Sequence, residues 1–317
     1  MTAIANCTQR IAITGASGFI GQALCKALLE RGDGVYALGR SPTGTAQALL
    51  GSLGRALPEH CVVADYQQLP ALDPTAVINL AGENIAAGRW TARRKRDLLA
   101  SRLDTSKRIS EAIAQHWSAV DTVISASAIG YYGDAGETAL AENAPQGRDF
   151  AADLCQRWEA AIPEFEGRRR LITRFGVVLG DGGALAKMRL PFSLGLGSQF
   201  GNGQHWQAYI HRDDAVAALL FLLDCEALSG TFNLVCPEPI RNRDFTRALA
   251  RSLNRPAFFR LPRAAAKLVF GEMAEVLYAS QRVLPKALLE SGFRFHYPTV
   301  PQALQAALNN ASRANSA

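Results

Sequence analysis

The sequence predicts an α/β fold, in which a doubly wound parallel sheet is joined to a smaller α/β lobe built from the C-terminal part. Short apolar runs alternate with helical patterns as far as residue 182, and this alternation is typical of a parallel sheet covered by helices. A glycine-rich segment at 15–21 stands between the first strand and the first helix. Beyond residue 183 the alternation breaks into glycine-rich loops and further helices, which indicates the second lobe.

The first βαβ unit is the clearest part of this pattern. Residues 10–14 form a short apolar run that leads directly into the glycine segment, and apolar residues then recur at helical spacing over 23–29. Gly32 and Gly34 mark the end of this helix, and residues 35–39 give a second apolar strand. The unit has about 30 residues, the length expected of a strand, a helix and a second parallel strand.

The alternation continues along the chain. We predict further strands over residues 61–65, 76–81, 120–127, 171–178 and 231–235, and helices over 91–116, 149–162 and from residue 213. The 317 residues, 48% of them hydrophobic, suffice for one large domain or for a domain with a smaller lobe. We expect a first domain over 1–182, with segments returning from about 205–235, and a lobe that takes most of 183–317.

Charge and cysteine usage narrow the class of partner. The formal net charge is +6, with basic runs at 93–96 and 168–170, but no aromatic pattern accompanies these runs. A solvated helix face or loop is therefore favoured over nucleic-acid binding, and a basic protein suits an anionic small molecule. The six cysteines include no Cys-x-x-Cys pair, which predicts neither a metal site nor a disulfide framework. No apolar stretch approaches ~20 residues, so we expect a cytoplasmic protein without a membrane partner.

The glycine segment suits the pyrophosphate group of a dinucleotide. Gly15, Gly18 and Gly21 follow a predicted strand and open a predicted helix. At such a place the turn must be tight, the backbone must approach the pyrophosphate, and the N–H groups of the helix point toward it. The sequence therefore predicts a Rossmann-type nucleotide site, with a purely structural turn as the alternative.

The end of the second strand distinguishes NADP from NAD. Sites selective for NAD place Asp or Glu there on the ribose hydroxyl, whereas this chain has Gly39-Arg40-Ser41. Arginine can pair with the additional 2′-phosphate of NADP, which a carboxylate would repel. We therefore predict NADP, with a plain surface role for Arg40 as the alternative. Asp65, at the end of the next strand, is interpreted either as a hydrogen-bond partner of adenine or as a helix cap.

Motifs over almost the whole chain resemble those of the extended short-chain dehydrogenase/reductase superfamily of nucleoside-sugar epimerases and dehydratases. They are the glycine motif, Asn79-Leu80-Ala81-Gly82, Ser127 to Gly133, Arg174 to Gly180, and His211-Arg212-Asp213-Asp214. A narrower set resembles the epimerase family, a 39U-type branch of atypical members. That set is Asn79 to Ile85, Arg89-Trp90, Ser101-Arg102, Ala128 to Gly133, Trp158 to Ala161, Leu190 to Phe192 and Gly292-Phe293.

The resemblance implies NADP as the cofactor and assigns its contacts to the predicted strand ends and to the long helix. The implied contacts are Gly15, Ser17, Gly18, Phe19, Ile20, Gly21, Gly39, Arg40, Leu80, Ala81, Glu83, Arg102 and Val177. Small residues at 81 and 82 would let the cofactor lie against a strand end, and Arg102 would reach a phosphate or a ribose from the helix.

The catalytic pair of the superfamily is absent from this sequence. Its members use Tyr-x-x-x-Lys, in which the lysine lowers the pKa of the tyrosine so that the phenol exchanges a proton with substrate. None of the seven tyrosines is followed four residues later by lysine. When Trp158-Glu159 is aligned with the glutamate that follows the motif, Ala151 and Cys155 take the tyrosine and lysine positions. The usual mechanism therefore does not transfer to this chain.

A substitute for this pair is sought in the same loops. Ser127 and Tyr131 are the catalytic candidates, with the charge of Arg102 activating the phenol of Tyr131. For Tyr132 a packing role is favoured.

Each of three further side chains, Arg174, His205 and His211, has two alternative roles. Arg174, at the end of a predicted strand, is a candidate for a phosphate contact, and the alternative is a buried ion pair with Asp213 or Asp214. His205 and His211 lie in the predicted substrate region, where a histidine can act as general acid or base. No metal-ligand spacing accompanies them, so structural roles are favoured.

Two functions fit these observations. The first is an NADP(H)-dependent oxidoreductase or epimerase-like enzyme acting on a small polar or sugar-like substrate. The second is a non-catalytic NADP(H) sensor or scaffold, which the missing Tyr-x-x-x-Lys pair favours. The resemblance also makes a homodimer possible, because related proteins pair through the helices predicted over 91–116 and near residue 149.

Overall fold

The central feature of the structure, a computed structural model that describes residues 3–314, is a seven-stranded parallel sheet. The strands of this part of the chain are β1 (Arg10–Thr14), β2 (Gly34–Leu38), β3 (Cys61–Ala64), β4 (Ala76–Asn79), β5 (Thr122–Ala128), β6 (Ala139–Leu140), β7 (Arg169–Phe175), β8 (Val177–Leu179), β9 (Ser198–Phe200), β10 (Trp206–Gln207), β11 (Tyr209–His211), β12 (Gly230–Leu234), β13 (Ile240–Arg241), β14 (Phe259–Leu261) and β15 (Arg282–Val283).

Helices connect and cover these strands. They are α1 (Phe19–Arg31), α2 (Pro42–Leu53), α3 (Ala92–Gln115), α4 (Phe150–Ala160), α5 (Gly183–Ser193), α6 (Arg212–Asp224), α7 (Asn242–Ser252), α8 (Arg263–Phe270), α9 (Ala274–Tyr278), α10 (Lys286–Glu290) and α11 (Val300–Ala314). Thr91 and Asp149 cap the starts of α3 and α4 with side-chain hydrogen bonds to backbone N–H groups.

The strand order of the central sheet is β3-β2-β1-β4-β5-β7-β12, and all six neighbouring pairs are parallel. The order runs outward in both directions from β1, so the connections after β1 and after β4 leave on different sides. In sheets of this kind a ligand binds at the carboxyl ends of the strands, where the order reverses. The predicted doubly wound parallel sheet is thereby confirmed.

The two faces of the sheet are buried by different helices. On one face Ile11 and Ile13 of β1 pack in a cluster with Leu24 and Leu28 of α1 and with α6. On the other face the intervening Ala12 belongs to a cluster with residues of α3 and the chain after it. Strand β2 is buried throughout its length, as a parallel sheet covered on both sides requires.

The strand predicted over 171–178 is interrupted at Gly176. A Cβ on Gly176 would lie 2.7 Å from the carbonyl oxygen of Ala208, so only glycine fits the backbone approach at this point. The chain leaves the central sheet there, and β8 pairs with β11 as a separate two-stranded sheet. The sequence contains no clear sign of this change of partner, because apolar residues continue on both sides of Gly176.

The C-terminal part of the chain contributes to the central sheet as well as to the lobe. Strand β12 pairs with β7 at the sheet edge, and α6 packs on α1. The buried carboxylate of Asp214 accepts hydrogen bonds from the backbone N–H groups of His296, at 2.8 Å, and Tyr297, at 2.9 Å. Within residues 3–314 no helix has both the length and the apolar character needed to cross a membrane. The domain limits and the cytoplasmic location stay predictions.

Candidate functional site

The three glycines of the turn after β1 have little or no room for a Cβ. Gly15 has φ +67°, a left-handed conformation that side chains disfavour, and a Cβ on it would lie 3.0 Å from the carbonyl carbon of Leu80. A Cβ on Gly18 would lie 3.0 Å from the Gly15 oxygen, and a Cβ on Gly21 would overlap that oxygen. The turn therefore packs its backbone against the end of β4, at the reversal of strand order.

Helix α1 begins in this turn with its backbone open to solvent. Gly18 is the N-cap and provides no side-chain hydrogen bond, and Ser17 and Gly18 are exposed. Phe19 and Ile20, the first residues of the helix, are half-buried. First-turn N–H groups have no carbonyl partner within a helix, and they carry the positive end of the helix dipole. The turn thus presents backbone donors to an anion.

Buried polar side chains join the ends of β1 and β4. The Thr14 hydroxyl donates to Asn79 Oδ1 at 2.6 Å and accepts from the backbone N–H of Ala81 at 3.1 Å. The Asn79 amide donates to the Ser106 hydroxyl of α3 at 3.1 Å. Thr14, Asn79 and Ser106 are all fully buried, so these hydrogen bonds do not compete with water. The network fixes the chain after β4 relative to the glycine turn.

Gly39 and Arg40 follow β2 and lie beside α2. A Cβ on Gly39 would overlap the hydroxyl oxygen of Thr45, a buried residue of α2. Ser41 caps α2 by accepting a backbone N–H of the first turn. The side chain of Arg40 is 81% exposed, and its guanidinium lies 3.4 Å from a carboxylate oxygen of Glu83. Arg40 therefore crosses from the end of β2 toward the loop after β4.

Glu83 is the centre of a charged cluster in the loop after β4. Its carboxylate pairs with Arg94 of α3 and, at 3.4 Å, with Arg40. Its backbone N–H donates to the Ser101 hydroxyl, and its carbonyl oxygen accepts from Arg102, both at 3.1 Å. The hydrogen bond from Arg94, together with the charges of Arg94 and Arg40, holds the pKa of Glu83 below its usual range. The negative charge is therefore offset by two cations.

Arg102 is buried behind this loop. Its guanidinium donates to the carbonyl oxygens of Leu98, at 2.9 Å, and Glu83, at 3.1 Å, and lies 4.8 Å from the ring centroid of Trp158. Burial lowers the pKa of Arg102 to about 10. A Cβ on Gly82 would lie 3.0 Å from the guanidinium carbon. Arg102 thus holds the loop after β4 in place. Its contact with a phosphate or a ribose of the coenzyme stays a prediction.

Ser127, at the end of β5, belongs to a buried chain of hydrogen bonds. Its hydroxyl donates to Glu159 Oε1 at 2.6 Å. The two carboxylate oxygens of Glu159 accept from Nε and a terminal nitrogen of Arg174, each at 2.8 Å. Burial alone would lower the pKa of Arg174, but the hydrogen bonds and charge of Glu159 raise it above its ordinary value. The structure therefore makes Glu159 the partner of both Ser127 and Arg174.

Tyr131 and Tyr132 follow β5 and lie against Arg174. The guanidinium carbon of Arg174 is 3.5 Å from the ring centroid of Tyr131, and the two tyrosine rings meet edge to face. Tyr132 is buried, with its hydroxyl donating to Asn233 at 2.7 Å and accepting from Arg174 at 3.0 Å. The half-buried Tyr131 has no hydrogen-bond partner for its hydroxyl among residues 3–314. Tyr132 therefore packs, as predicted, and Tyr131 offers an open hydroxyl.

The positions aligned with the missing tyrosine and lysine do face this loop. A Cβ on Gly130 would lie 3.3 Å from the Ala151 Cβ and 3.5 Å from the Cys155 Sγ. Cys155 is buried, and burial raises its pKa to about 11. A methyl group and a protonated thiol therefore stand where the superfamily places a phenol and an ammonium, and neither can perform the proton transfer at neutral pH.

Val177 and the loop before α5 border the region at the carboxyl ends of the central strands, which we call the crevice. Val177 is two residues beyond Phe175, which pairs with Ala128 at the end of β5. The ring of Phe19 fills the space beside the glycines before α5, because a Cβ on Gly182 would lie 3.0 Å from that ring. The crevice is thus bounded by the glycine turn on one side and by β8 on the other.

The structure corrects two predicted partners. The cation stacked on Tyr131 is Arg174, whereas Arg102 lies on Trp158, so Arg102 does not activate the phenol directly. The carboxylate that pairs with Arg174 is Glu159 rather than Asp213 or Asp214. Arg174 is buried and fully engaged, which removes it as a phosphate contact.

Asp65 stabilises a turn and does not cap a helix, because the short 3-10 helix that follows begins at Leu69 with Gln68 as its N-cap; its contact with adenine stays a prediction. Its carboxylate accepts hydrogen bonds from the backbone N–H groups of Gln67, at 2.8 Å, and Gln68, at 3.2 Å, in the turn after β3.

The site residue that sequence reasoning missed is Glu159. In the sequence, Glu159 was used only to align the Tyr-x-x-x-Lys positions. It follows Ala151 by eight residues on α4, and this spacing puts the two residues on the same face of that helix.

The two histidines of the lobe have structural surroundings. His211 is the N-cap of α6, and its Nδ1 accepts the backbone N–H of Asp213 at 3.1 Å. The His205 ring stacks on Tyr278 with 5.9 Å between centroids, and its Nε2 is buried without a partner among residues 3–314. Burial lowers the pKa of both imidazoles. This agrees with the structural roles favoured from the sequence.

Replacement of His205 by asparagine should weaken the acid sensitivity of the fold. The lowered pKa means that the unfolded chain takes up a proton that the folded chain resists, so stability is lost as the pH falls below about 6.5. Urea unfolding at about pH 7.5 and about pH 5.5 should therefore show a smaller fall in the free energy of unfolding for His205→Asn than for the wild type. The exposed His116 provides the control His116→Asn, and an equal effect of both replacements would contradict the assignment.

The fold and the glycine turn define a Rossmann protein of the NAD(P)-binding, extended short-chain dehydrogenase/reductase class. Residues 11–234 match the model of the NAD dependent epimerase/dehydratase family, and residues 261–307 match a domain of unknown function, DUF1731. The chain therefore belongs to the NAD dependent epimerase/dehydratase family. This confirms the resemblance found in the sequence.

Individual relatives cover nearly the whole chain. An epimerase family protein of Mycobacterium leprae is 38% identical over 307 residues, which are 96% of this chain and 97% of that protein. The crystal structure of the human epimerase family protein SDR39U1 with NADPH is similar at a TM-score of 0.85 and 30% identity, covering 95% of this chain and 99% of the human one. A nucleoside-diphosphate sugar epimerase of Corynebacterium glutamicum has a TM-score of 0.70 at 28% identity, covering 95% of this chain and 58% of its own.

Proposed function

We propose that the chain binds NADP(H) at the carboxyl ends of its central sheet and transfers hydride between this coenzyme and a small polar or sugar-like substrate. The observation that carries the proposal is the glycine turn, in which three glycines leave little or no space for a Cβ and open the N-terminus of α1 to an anion. The human relative solved with NADPH supports the same coenzyme.

The residues around the crevice fit the parts of this coenzyme. The turn over 15–21 would hold the pyrophosphate with backbone N–H groups. The exposed guanidinium of Arg40 would pair with the 2′-phosphate, which its planar fork of donors suits. Glu83 is also paired with Arg94, which reduces the repulsion between its charge and that phosphate. Leu80 and Ala81 would flank the coenzyme at the end of β4, and Val177 would border the nicotinamide.

Proton transfer in this proposal belongs to Tyr131. When bound, the nicotinamide supplies or accepts the hydride, so the chain itself must give or take a proton at the substrate oxygen. The Tyr131 hydroxyl has no partner among residues 3–314, and its ring rests on a guanidinium fixed by two hydrogen bonds to Glu159. Ser127 is buried and its hydroxyl donates a hydrogen bond to Glu159, so we assign it to positioning the Glu159–Arg174 pair.

The second candidate function is an NADP(H) sensor or scaffold without turnover. It is favoured by Ala151 and Cys155, which fill the positions of the usual tyrosine and lysine and face the loop after β5. A screen of hydroxyl- and carbonyl-bearing metabolites, followed by the absorbance of reduced nicotinamide, separates the two functions. Turnover that is lost in Tyr131→Phe supports the enzyme and its proton donor. Tight NADPH binding without turnover of any metabolite supports the sensor.

Arg40→Gln should change coenzyme preference rather than coenzyme binding as such. The replacement removes one charge-assisted contact with the 2′-phosphate, worth about 1.5–3 kcal/mol, so the Kd for NADPH should rise roughly ten- to a hundredfold. The Kd for NADH should stay almost the same, because NADH has no phosphate at this position. Both constants can be measured by titration calorimetry.

The matched control is Arg55→Gln, in the exposed loop after α2. It removes the same charge from the surface without touching the crevice, and it should leave both constants unchanged. If Arg40→Gln weakened NADH as much as NADPH, the assignment of Arg40 to the 2′-phosphate would be wrong.

A further inference from the structure

A second concave site, which we call the arginine groove, lies on the C-terminal lobe between α7, β9 and β14. Its volume is about 440 Å³, and its lining residues are distinct from those of the coenzyme crevice. Five arginines and one aromatic side chain give it its character: Arg243, Arg247, Arg251, Arg255, Arg260 and Phe258. Within residues 3–314, no acidic side chain lines the groove.

The positive charge of the arginine groove is mostly uncompensated. Asp244 lies 3.5 Å from Arg243 and 3.6 Å from Arg247, and so provides one negative charge for two cations. Arg251 and Arg260 have no carboxylate within 4.0 Å among the residues that the structure describes. The groove therefore gathers several cations that a small anion would neutralise.

Three of these arginines form a row of like charges along one face of α7. Arg243, Arg247 and Arg251 are spaced four residues apart, and like charges at this spacing repel each other along a helix face. Arg243 stands in the first turn, at the positive end of the helix dipole, where Asp244 partly offsets its charge, whereas Arg251 stands in the last turn, where the dipole favours a cation. A surface that served only solubility would gain from alternating signs here, so the arrangement points to an anionic ligand.

The floor and the helix end of the arginine groove are held in place. Thr246 and Ala250 line the groove and are buried. The side chain of Asn242, at the start of α7, accepts from the Phe200 N–H at 2.8 Å and donates to Gln207 at 3.1 Å. The backbone N–H of Arg243 donates to the Gly203 carbonyl oxygen at 2.9 Å. A ligand would therefore meet arginines on a fixed backbone.

We propose that the arginine groove binds a small ligand with several phosphates and an aromatic ring, of the nucleoside triphosphate class. The planar guanidinium group pairs with phosphate oxygens in bidentate fashion. The volume is that of a small-molecule site rather than of a track for a polymer. Phe258 is 85% exposed at the groove and offers a ring face for stacking on a base.

The test is titration calorimetry of the full chain with inorganic triphosphate and with ATP, in the presence of saturating NADPH. The coenzyme keeps these anions out of the glycine turn. We expect saturable binding of one ligand per chain, with ATP binding more tightly than triphosphate. The double variant Arg247→Gln/Arg251→Gln should weaken both ligands by about a hundredfold, or about tenfold for each arginine lost. Phe258→Ala should remove the difference between ATP and triphosphate.

The matched control is Arg93→Gln/Arg96→Gln, which removes two exposed arginines from α3 and should leave both affinities unchanged. Circular dichroism of each variant verifies that α7 is still formed. The proposal is overturned if the wild type binds neither ligand, or if both double variants weaken binding equally. It is also overturned if the protein binds only a single-stranded RNA oligomer or vesicles with anionic phospholipid, with no competition from ATP.

Discussion

Gly21→Ala should abolish tight NADPH binding and destabilise the protein. The new Cβ would overlap the carbonyl oxygen of Gly15 and lie 2.9 Å from the Ala16 Cα, so α1 and the glycine turn could no longer pack together. Such overpacking costs about 1–3 kcal/mol, which exceeds the gain of about 0.5–1 kcal/mol that alanine brings to a helix. We expect the Kd for NADPH to rise by more than about tenfold and the free energy of unfolding to fall.

Titration calorimetry and urea unfolding measure these two quantities, and Gly51→Ala is the matched control. Gly51 lies in α2 with no heavy atom within 4 Å of a Cβ built on it. Its replacement should therefore raise the free energy of unfolding by about 0.5–1 kcal/mol and leave the Kd for NADPH unchanged. Normal NADPH affinity in Gly21→Ala would rule out the turn as the pyrophosphate site.

Glu159→Ala should destabilise the protein more than Gly21→Ala does. It removes the two hydrogen bonds between Glu159 and the buried guanidinium of Arg174, and it leaves the charge of Arg174 without a carboxylate partner beside the two tyrosines. Breaking a buried ion pair in this way costs about 3–5 kcal/mol, a large share of the stability of an ordinary domain. Urea unfolding measures the loss. Glu159→Gln, which keeps a hydrogen-bond acceptor, should lose less and remain folded.

The control for this experiment is Glu164→Ala, in the loop between α4 and β7. Its carboxylate lies 4.0 Å from Arg170 and its side chain is 89% exposed, so the change in the free energy of unfolding should stay within about 0.5 kcal/mol.

The folded variant Glu159→Gln also tests the role of Tyr131. If the guanidinium supports that ring in catalysis, turnover should fall in this variant more than NADPH binding does. Wild-type stability of Glu159→Ala would contradict the buried ion pair.

The strands of the central sheet could be predicted because each is marked in the sequence by its own run of apolar residues. A parallel strand buried on both faces is apolar along most of its length, as in β2 and in β4 before Asn79. Helix α2 gave no such signal, since it contains two glycines and few buried side chains. Its start was nevertheless marked by Ser41-Pro42, a cap followed by proline at the first helical position.

The two halves of the candidate site differ in how far the sequence predicts them. The glycine turn is local, because the close approaches that exclude a Cβ from Gly18 and Gly21 come from residues three to six positions earlier. The partner of Arg174 is not local, since it depends on how α4 crosses the ends of β5 and β7. Asp213 and Asp214 were the partners predicted from the sequence, but α6 directs Asp214 to the backbone of residues 296–297.

The position of strand β12 restricts how a chain of this family can be divided into fragments. It comes from sequence far beyond residue 183, yet it covers the edge of β7, and the neighbouring α6 covers an apolar side of α1. A fragment cut at residue 182 would expose that edge and that surface, and exposed edges promote aggregation. Residues 1–182 therefore do not form a unit that can be moved by itself into another protein. Chimaeras between relatives should be joined so that β7, β12 and α6 come from the same parent.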